Sequence, residues 1–231
     1  MKRLSIIVPA LDEAAGIVAC LAALAPLRER GTEVIVVDGG SSDGTAALAA
    51  PLADRVITAR RGRAAQMNAG AQDASAEALL FLHADTRLPE DADRLVLEGL
   101  ERSARAWGRF DVAIDGRSPL LAVVAAMMNA RSRLTGIATG DQAIFVRREA
   151  FLRAGCFPAI ALMEDIAFSK AMKRLGPPLC LRERVRTSGR RWEARGTLRT
   201  VLLMWRLRLA YFLGADPARL AERYGSGRTA Q

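Results

Sequence analysis

The chain opens on an apolar run, LSIIVPA, from Leu4 to Ala10, and three similar runs follow: EVIVVDG, RVITA and ALLFLHA. Each is short, rich in Ile, Val and Leu, and uninterrupted by polar positions, as strands buried on both faces of a parallel sheet should be. Between them lie EAAGIVACLAALAPLRER, SDGTAALAAPLA and RAAQMNAGAQDA, built from strong helix formers with apolar residues at helical spacing. Strand alternating with helix on this scale predicts an open α/β sheet. PEDADRLVLEGLERS predicts a further helix, with Pro89 near its first turn and acids at its N-terminal end.

After Ser103 the pattern changes. WGRFDVAIDG reads as a strand, the alanine- and methionine-rich stretch from Ser118 to Leu134 as a helix, and DQAIFVR as another strand. MEDIAFSKAMKRLG predicts a helix ending at Gly176, before Pro177 and Pro178. RGTLRTVLLMWRLRLAYFLG predicts a long apolar helix, and DPARLAERY a short one after it. No internal repeat or long linker interrupts the chain. The expected organisation is one domain over residues 1–190 with a helical extension over 191–231.

Composition narrows the class of partner. The formal charge is +9, from 34 basic and 25 acidic residues, which favours nucleic acid, an anionic membrane surface or a phosphorylated small molecule. Aromatics make up only 5% and no nucleic-acid module is recognisable, so nucleic acid is the weakest of the three. Cys20, Cys156 and Cys180 are far apart and lack CxxC spacing, which points away from a disulfide framework or zinc site and towards a reducing cytosol. The first apolar run is short and ends on Asp12 and Glu13, unlike a signal peptide. No uncharged apolar run reaches the roughly 18 residues a transmembrane helix needs.

In an open α/β sheet, ligands bind beyond the carboxyl ends of the strands. Three such ends carry acids: Pro9 to Glu13, Asp38 to Thr45, and His83-Ala84-Asp85. A crevice crowded with carboxylates repels an anionic ligand unless a cation intervenes. DGGSSDGT has two readings: a turn with Ser42 or Asp43 capping a helix, or Asp38 set against a nucleobase or ribose. The chain has neither GxGxxG nor GxxxxGK[ST], which excludes a dinucleotide fingerprint and a P-loop. The arginines at Arg60 to Arg63 form either a solvated turn or a diphosphate contact. Glu164-Asp165, by itself, reads as a helix N-terminal cap.

SIIVPALDE, EVIVVDGGSSDGT, GRAAQMNAG, LLFLHADT and MEDIAFSKAMKR, in this order, resemble the family-two glycosyltransferases with a GT-A fold. The likeness covers roughly three quarters of the chain, and it is similar to small bacterial members with HAD where most relatives have two aspartates. The resemblance implies a Rossmann-like α/β fold with a mostly parallel sheet flanked by helices. It also implies a nucleotide-diphosphate sugar donor (a UDP-sugar first), Mg²⁺ or Mn²⁺, and an inverting displacement. Carried over position by position, it sets Pro9, Ala10, Leu11, Glu13, Gly40 and Asn68 beside the nucleotide donor, with Asp38 at the base and Arg63 near the base or diphosphate. His83 and Ala84 would contact the donor, and Asp85 matches the last acid of the metal-binding element. Asp165 matches the catalytic base, assisted by Glu164, while Gly140, Asp141 and Gln142 would face the acceptor or the transferred sugar. Arg190, Arg191 and Trp192 loosely resemble an acceptor-side element of processive members, without its glutamine. One carboxylate suffices for Mg²⁺ or Mn²⁺ when phosphates and waters complete the shell. For His83, the chain's only histidine, a nucleotide contact is preferred over metal ligation. The loss of one acid also leaves open a GT-A domain retained for binding or assembly.

The last long helix is ambiguous. Arg195, Arg199 and Arg206 share a stripe, whereas Arg208 lies nearly opposite, where an interfacial helix should carry no charge. Trp205, Tyr211 and Phe212 with abundant arginine suit an anionic lipid surface. Packing on the domain or on a second subunit, as in a homodimer, is the competing expectation. The acceptor is then unidentified, either a small molecule or a lipid-linked one.

Overall fold

The computed structural model describes residues 2–225, apart from the side chains of Arg191 and Arg195. The four apolar runs form β1 (Leu4–Ala10), β2 (Glu33–Asp38), β3 (Arg55–Thr58) and β4 (Ala78–Phe81), all parallel, in the order β3-β2-β1-β4. Their side chains serve two cores because successive residues point to opposite faces. Ile6 and Val8 pack with Ile17, Leu21 and Leu24 of α1 (Ala14–Glu29), whereas Ile7 packs with Ala64, Met67 and Ala71 of α3 (Arg63–Asp73). The result is a sheet covered by helices on both faces. The short α2 (Thr45–Ala49) follows β2.

The sheet continues through β7 (Phe145–Arg147), antiparallel to both neighbours, then β6 (Trp107–Asp115) and β8 (Leu179–Ser188), which are parallel to each other. A two-residue strand, β5 (Thr86–Arg87), pairs antiparallel with the end of β8, Thr86 opposite Thr187. The α/β expectation with a mostly parallel sheet therefore holds. α4 (Ala92–Ser103) and α5 (Leu120–Thr135) cover one face through Val96, Leu100, Ala125 and Met128. α6 (Arg148–Arg153) and α7 (Glu164–Met172) cover the other through Phe151, Phe168 and Met172. The C-terminal helices are α8 (Arg190–Arg195), α9 (Thr197–Phe212) and α10 (Pro217–Gly225).

Three local features depart from the sequence pattern. The segment at 141–147 is not one strand: Gly140–Gln142 forms a 3₁₀ turn, fixed by a reciprocal Thr139–Gln142 capping box, before β7 begins. A short helix without a signal in the sequence, α8, precedes the predicted long C-terminal helix, which forms as α9 and starts afresh after Gly196, whose φ of 80° suits glycine. Strand β8 has no clear signature in the sequence, because LCLRERVRTS carries four charges that mask its alternation. Its burial is asymmetric, with Val185 and Thr187 inward and Arg182, Glu183, Arg184 and Arg186 outward.

A buried polar group joins β6 to α5. Arg109, at 0% exposure, donates to Ser132 Oγ (3.1 Å), to the Asn129 carbonyl (3.2 Å) and to Asp111 Oδ1. The other oxygen of Asp111 accepts from Arg133 Nη2 at 2.9 Å. Asn129 carries the network onward, accepting from Val112 N–H (2.9 Å) and from Gln142 Nε2 (3.3 Å). The 140–142 turn is thereby anchored to the sheet.

Candidate active site

The first acidic ends are laced together by their own loops. Asp12 Oδ1 accepts from the N–H and hydroxyl of Ser42, while Ser41 Oγ accepts from Asp12 N–H at 2.9 Å. Gly44, and not Ser42 or Asp43, holds the N-cap position of α2. One oxygen of Asp43 instead accepts from Ala14 N–H (2.9 Å) at the start of α1, and the other from Thr45. Gln66 is a further residue of this region. It donates to the carbonyls of Ala10 (2.7 Å) and Val37 (2.8 Å) and so ties β1 to β2 just below Pro9–Leu11 and Asp38. Its signal in the sequence is a polar residue on the apolar face of an otherwise alanine-rich helix.

Asp38 is 5% exposed. Its Oδ2 accepts from the N–H groups of Gly40 and Ser41, both at 3.0 Å, whereas its Oδ1 is buried without a partner. A buried acceptor with one oxygen left over has room for one outside donor, such as an imide N–H or a ribose hydroxyl. Glu13 sits at the start of α1, beside Leu11, with its N–H donating to Thr45 Oγ1 at 2.9 Å.

The second grouping is a narrow cleft lined by Arg63, His83, Gly140, Glu164 and Asp165 over Phe81 and Phe157. The floor is rigid: Phe81, Phe151, Phe157 and Phe168 stack edge to face or tilted, with centroids 4.3–5.6 Å apart. Arg63 Nη1 lies 3.4 Å from Glu164 Oε1, and Glu164's side chain is only 4% exposed. Burial and the charge of Asp165 hold the Glu164 carboxyl above its usual range, with Arg63 opposing. Asp165 is fixed by two backbone donors: Gly140 N–H to Oδ2 at 3.0 Å and Ile166 N–H to Oδ1 at 2.7 Å. A Cβ at Gly140 would stand 2.6 Å from His83 Cε1 and closer still to Nε2, so only glycine lets the turn approach the imidazole. His83 Nε2 is buried without a partner, and Nδ1 lies 3.3 Å from Asp141 Oδ1.

Asp141 also belongs to a larger cavity of about 320 Å³, whose wall it shares with Asp85, Thr187, Ser188 and Trp192. β8 builds this wall: Thr86 and Thr187 hydroxyls bond at 3.0 Å, and Ser188 N–H donates to the Asp85 carbonyl at 3.1 Å. The exposed Asp85 carboxylate and that of Asp141 thus face one cavity. No group of three or more His, Cys, Asp or Glu with metal-binding geometry occurs among the described residues. That donor set fits Mg²⁺ or Mn²⁺, which take one or two carboxylates when phosphates and waters supply the rest, and would not fit an all-protein cage.

Of the predicted residues, Arg63, His83, Gly140, Glu164 and Asp165 line the narrow cleft and Asp85, Asp141 and Trp192 the larger cavity, whereas Pro9, Ala10, Leu11, Glu13, Asp38 and Gly40 line neither. Gln142 is fully buried, bonded to Asn129 and Thr139, and lines neither cavity. Asn68 commits its amide to the backbone of Phe157, donating to the carbonyl (2.8 Å) and accepting from the N–H (3.0 Å). Ala84 is buried within the core beneath Asp85. Trp192 does line the larger cavity, while the Arg191 side chain lies outside the described residues. Arg131 and Arg208, which line the same cavity, have no sequence signal beyond the odd position of Arg208.

A family model, Glycosyl transferase family 2, matches residues 5–151. No curated protein matches the chain. Among solved structures, the mannosyltransferase PcManGT from Pyrobaculum calidifontis, in complex with GDP-Man and Mn2+, shares 21% identity and a TM-score of 0.66, covering 99% of this chain and 70% of its own. Glucosyl-3-phosphoglycerate synthase from Mycobacterium tuberculosis, with Mn2+, UDP and glucosyl-3-phosphoglycerate, shares 19% identity and a TM-score of 0.60, covering 80% of this chain and 71% of its own. The 1–349 fragment of S. aureus TarS with UDP-GlcNAc shares 17% identity and a TM-score of 0.64, with coverages of 81% and 59%. At such identities the likeness establishes the architecture. Since the family model spans more than half of the chain, the protein belongs to glycosyl transferase family 2 and is a glycosyltransferase with the GT-A fold.

Proposed function

We propose that this chain transfers a sugar, with inversion, from a nucleotide-diphosphate donor (a UDP-sugar first) to an acceptor in the larger cavity. The observation that carries the reading is the 140–141 turn. Through Gly140 it holds the Asp165 carboxylate, and through Asp141 it shares a cavity wall with Asp85. In this reading Asp38 receives the base on its unpaired Oδ1, near Pro9, Ala10, Leu11, Glu13 and Gly40. Arg63 and His83 face the donor from the narrow cleft. Asp85, helped by Asp141, would hold Mg²⁺ or Mn²⁺. A cation there would neutralise the departing diphosphate.

Asp165 then takes the acceptor's proton as its oxygen attacks the face opposite the leaving group. The two backbone N–H bonds keep this carboxylate aimed, and the neighbouring buried Glu164 helps to orient it. The solved relatives support the donor class, since they hold GDP-Man, UDP-GlcNAc or UDP, with Mn2+ in two of them. Asp141 on the Asp85 wall supplies a second carboxylate and weighs against a degenerate, binding-only domain. Incubation with UDP- and GDP-sugars should release nucleoside diphosphate faster with Mn²⁺ present, and Asp85→Ala should remove that stimulation. No release with any nucleotide sugar would sink the assignment.

We also propose that α9 rests on an anionic membrane surface. Leu198, Leu202, Trp205, Leu209 and Phe212 form one exposed stripe, Trp205 at 54% and Phe212 at 75%, with exposed Arg199 and Arg206 alongside. No helix among the described residues is long and apolar enough to cross a membrane. Leu202→Glu with Leu209→Glu should abolish co-sedimentation with phosphatidylglycerol vesicles without unfolding. Unchanged sedimentation would refute attachment, and conversion of a dimer to monomer would assign the stripe to a second copy instead.

A further inference from the structure

The larger cavity has an apolar lining and two arginines that the transfer mechanism does not use. Val124 and Met128 of α5 and Met204 and Trp205 of α9 line it, with Trp192 and Tyr224 completing the wall. Arg131 enters from α5 and Arg208 from α9, on the helical side of the cavity, whereas Asp85, Thr187 and Ser188 form the strand-end side. Nε and Nη2 of Arg131, and Nε of Arg208, are buried without a hydrogen-bond partner. Such donors are costly to leave unmet, and two guanidiniums in one another's field add repulsion. Burial, then the charge of Arg208, draws the Arg131 pKa down to about 10. Asp141 and Asp165 relieve both arginines only in part.

Two guanidinium forks on the largely apolar helical side of one cavity match one kind of ligand. We infer that the acceptor is an anionic amphiphile, whose phosphate or carboxylate is gripped by Arg131 and Arg208 and whose apolar part lies against Met128, Met204 and Trp205. The inference rests on the proposed transferase reading, and it narrows the acceptor class. The cavity is the size of a small-molecule site. Trp205 belongs both to its lining and to the exposed stripe of α9, so an acyl or prenyl-like chain could pass from one to the other. The charge at Arg208, anomalous for an interfacial helix, thereby finds its place: it faces the cavity and not the lipid side.

Calorimetric titration of the full chain with octyl phosphate, phenyl phosphate, octanol and inorganic phosphate tests this. Octyl or phenyl phosphate should bind roughly tenfold or more tighter than octanol and inorganic phosphate, the scale of one charge-assisted contact. Octyl exceeding phenyl phosphate indicates a chain-bearing acceptor, and the reverse a compact aromatic one. Arg131→Gln and Arg208→Gln should each abolish the preference for the phosphate over octanol, while UDP binding with Mn²⁺ stays unchanged. Met204→Glu guards against misfolding of those variants, since its carboxylate sits one turn before Arg208 and can satisfy it. It should raise the melting temperature and eliminate octyl phosphate binding. Wild-type-like phosphate binding in these variants, or equal binding of inorganic and octyl phosphate, would overturn the proposal. So would a parallel loss of UDP binding in the arginine variants, which would give the pair to the donor. Failure of the transferase reading itself would show separately, as no UDP binding by the wild type.

Discussion

Asp165→Asn should lower turnover by roughly three orders of magnitude while leaving donor affinity unchanged, the range expected for losing a positioned general base. The amide matches the carboxylate in shape, so the side chain stays where Gly140 N–H holds it. Only one of its two atoms can still accept, so either the Gly140 or the Ile166 bond is lost, which costs about 1 kcal/mol of stability. That small structural cost cannot explain a thousandfold defect. Steady-state turnover read beside UDP affinity separates the two effects. Turnover close to wild type would remove Asp165 as the base and return Glu164-Asp165 to a capping role at the start of α7.

The largest effect on stability should come from Arg109→Met. The substitution strips Asp111 of its fully buried partner and leaves the Asn129 carbonyl and Ser132 hydroxyl short of a donor. Breaking one half of a buried pair typically costs 3–5 kcal/mol, and because Arg133 still reaches Asp111 at 2.9 Å the loss should lie near the lower end, about 3 kcal/mol. Arg109→Met with Asp111→Leu should recover most of it, because an apolar pair avoids desolvating charge altogether. Urea denaturation of both variants checks this. A single variant as stable as wild type would mean the pair contributes nothing to joining β6 and α5.

Part of the candidate site is legible in the amino-acid sequence, and the reason is local. Buried parallel strands must be apolar throughout, so Asp38 and Asp85 stand out where the apolar runs stop. What the sequence hides depends on distant partners. β8 is half exposed and crowded with arginine, so its sequence looks like a loop, yet its end places Ser188 and Trp192 beside Asp85. Gln142 sits in a motif that reads as acceptor-facing, but its neighbour Asn129, thirteen residues away on α5, draws it inward. Arg131 lies in an alanine-rich helix with nothing around it to mark a ligand, and only α9 folding over α5 pairs it with Arg208. Gly140 is marked in the sequence only by the family resemblance, and its need for glycine arises from an imidazole 57 positions earlier in the chain.

Asp85 is proposed to act through a cation on a nucleotide diphosphate, which calorimetric titration of UDP with and without Mn²⁺ would reveal. Wild type should bind UDP roughly tenfold or more tightly with Mn²⁺ present. Asp85→Ala should bind weakly under both conditions, and Asp165→Asn should match wild type. Equal UDP affinity with and without Mn²⁺, unchanged by Asp85→Ala, would show that Asp85 holds no cation for the donor.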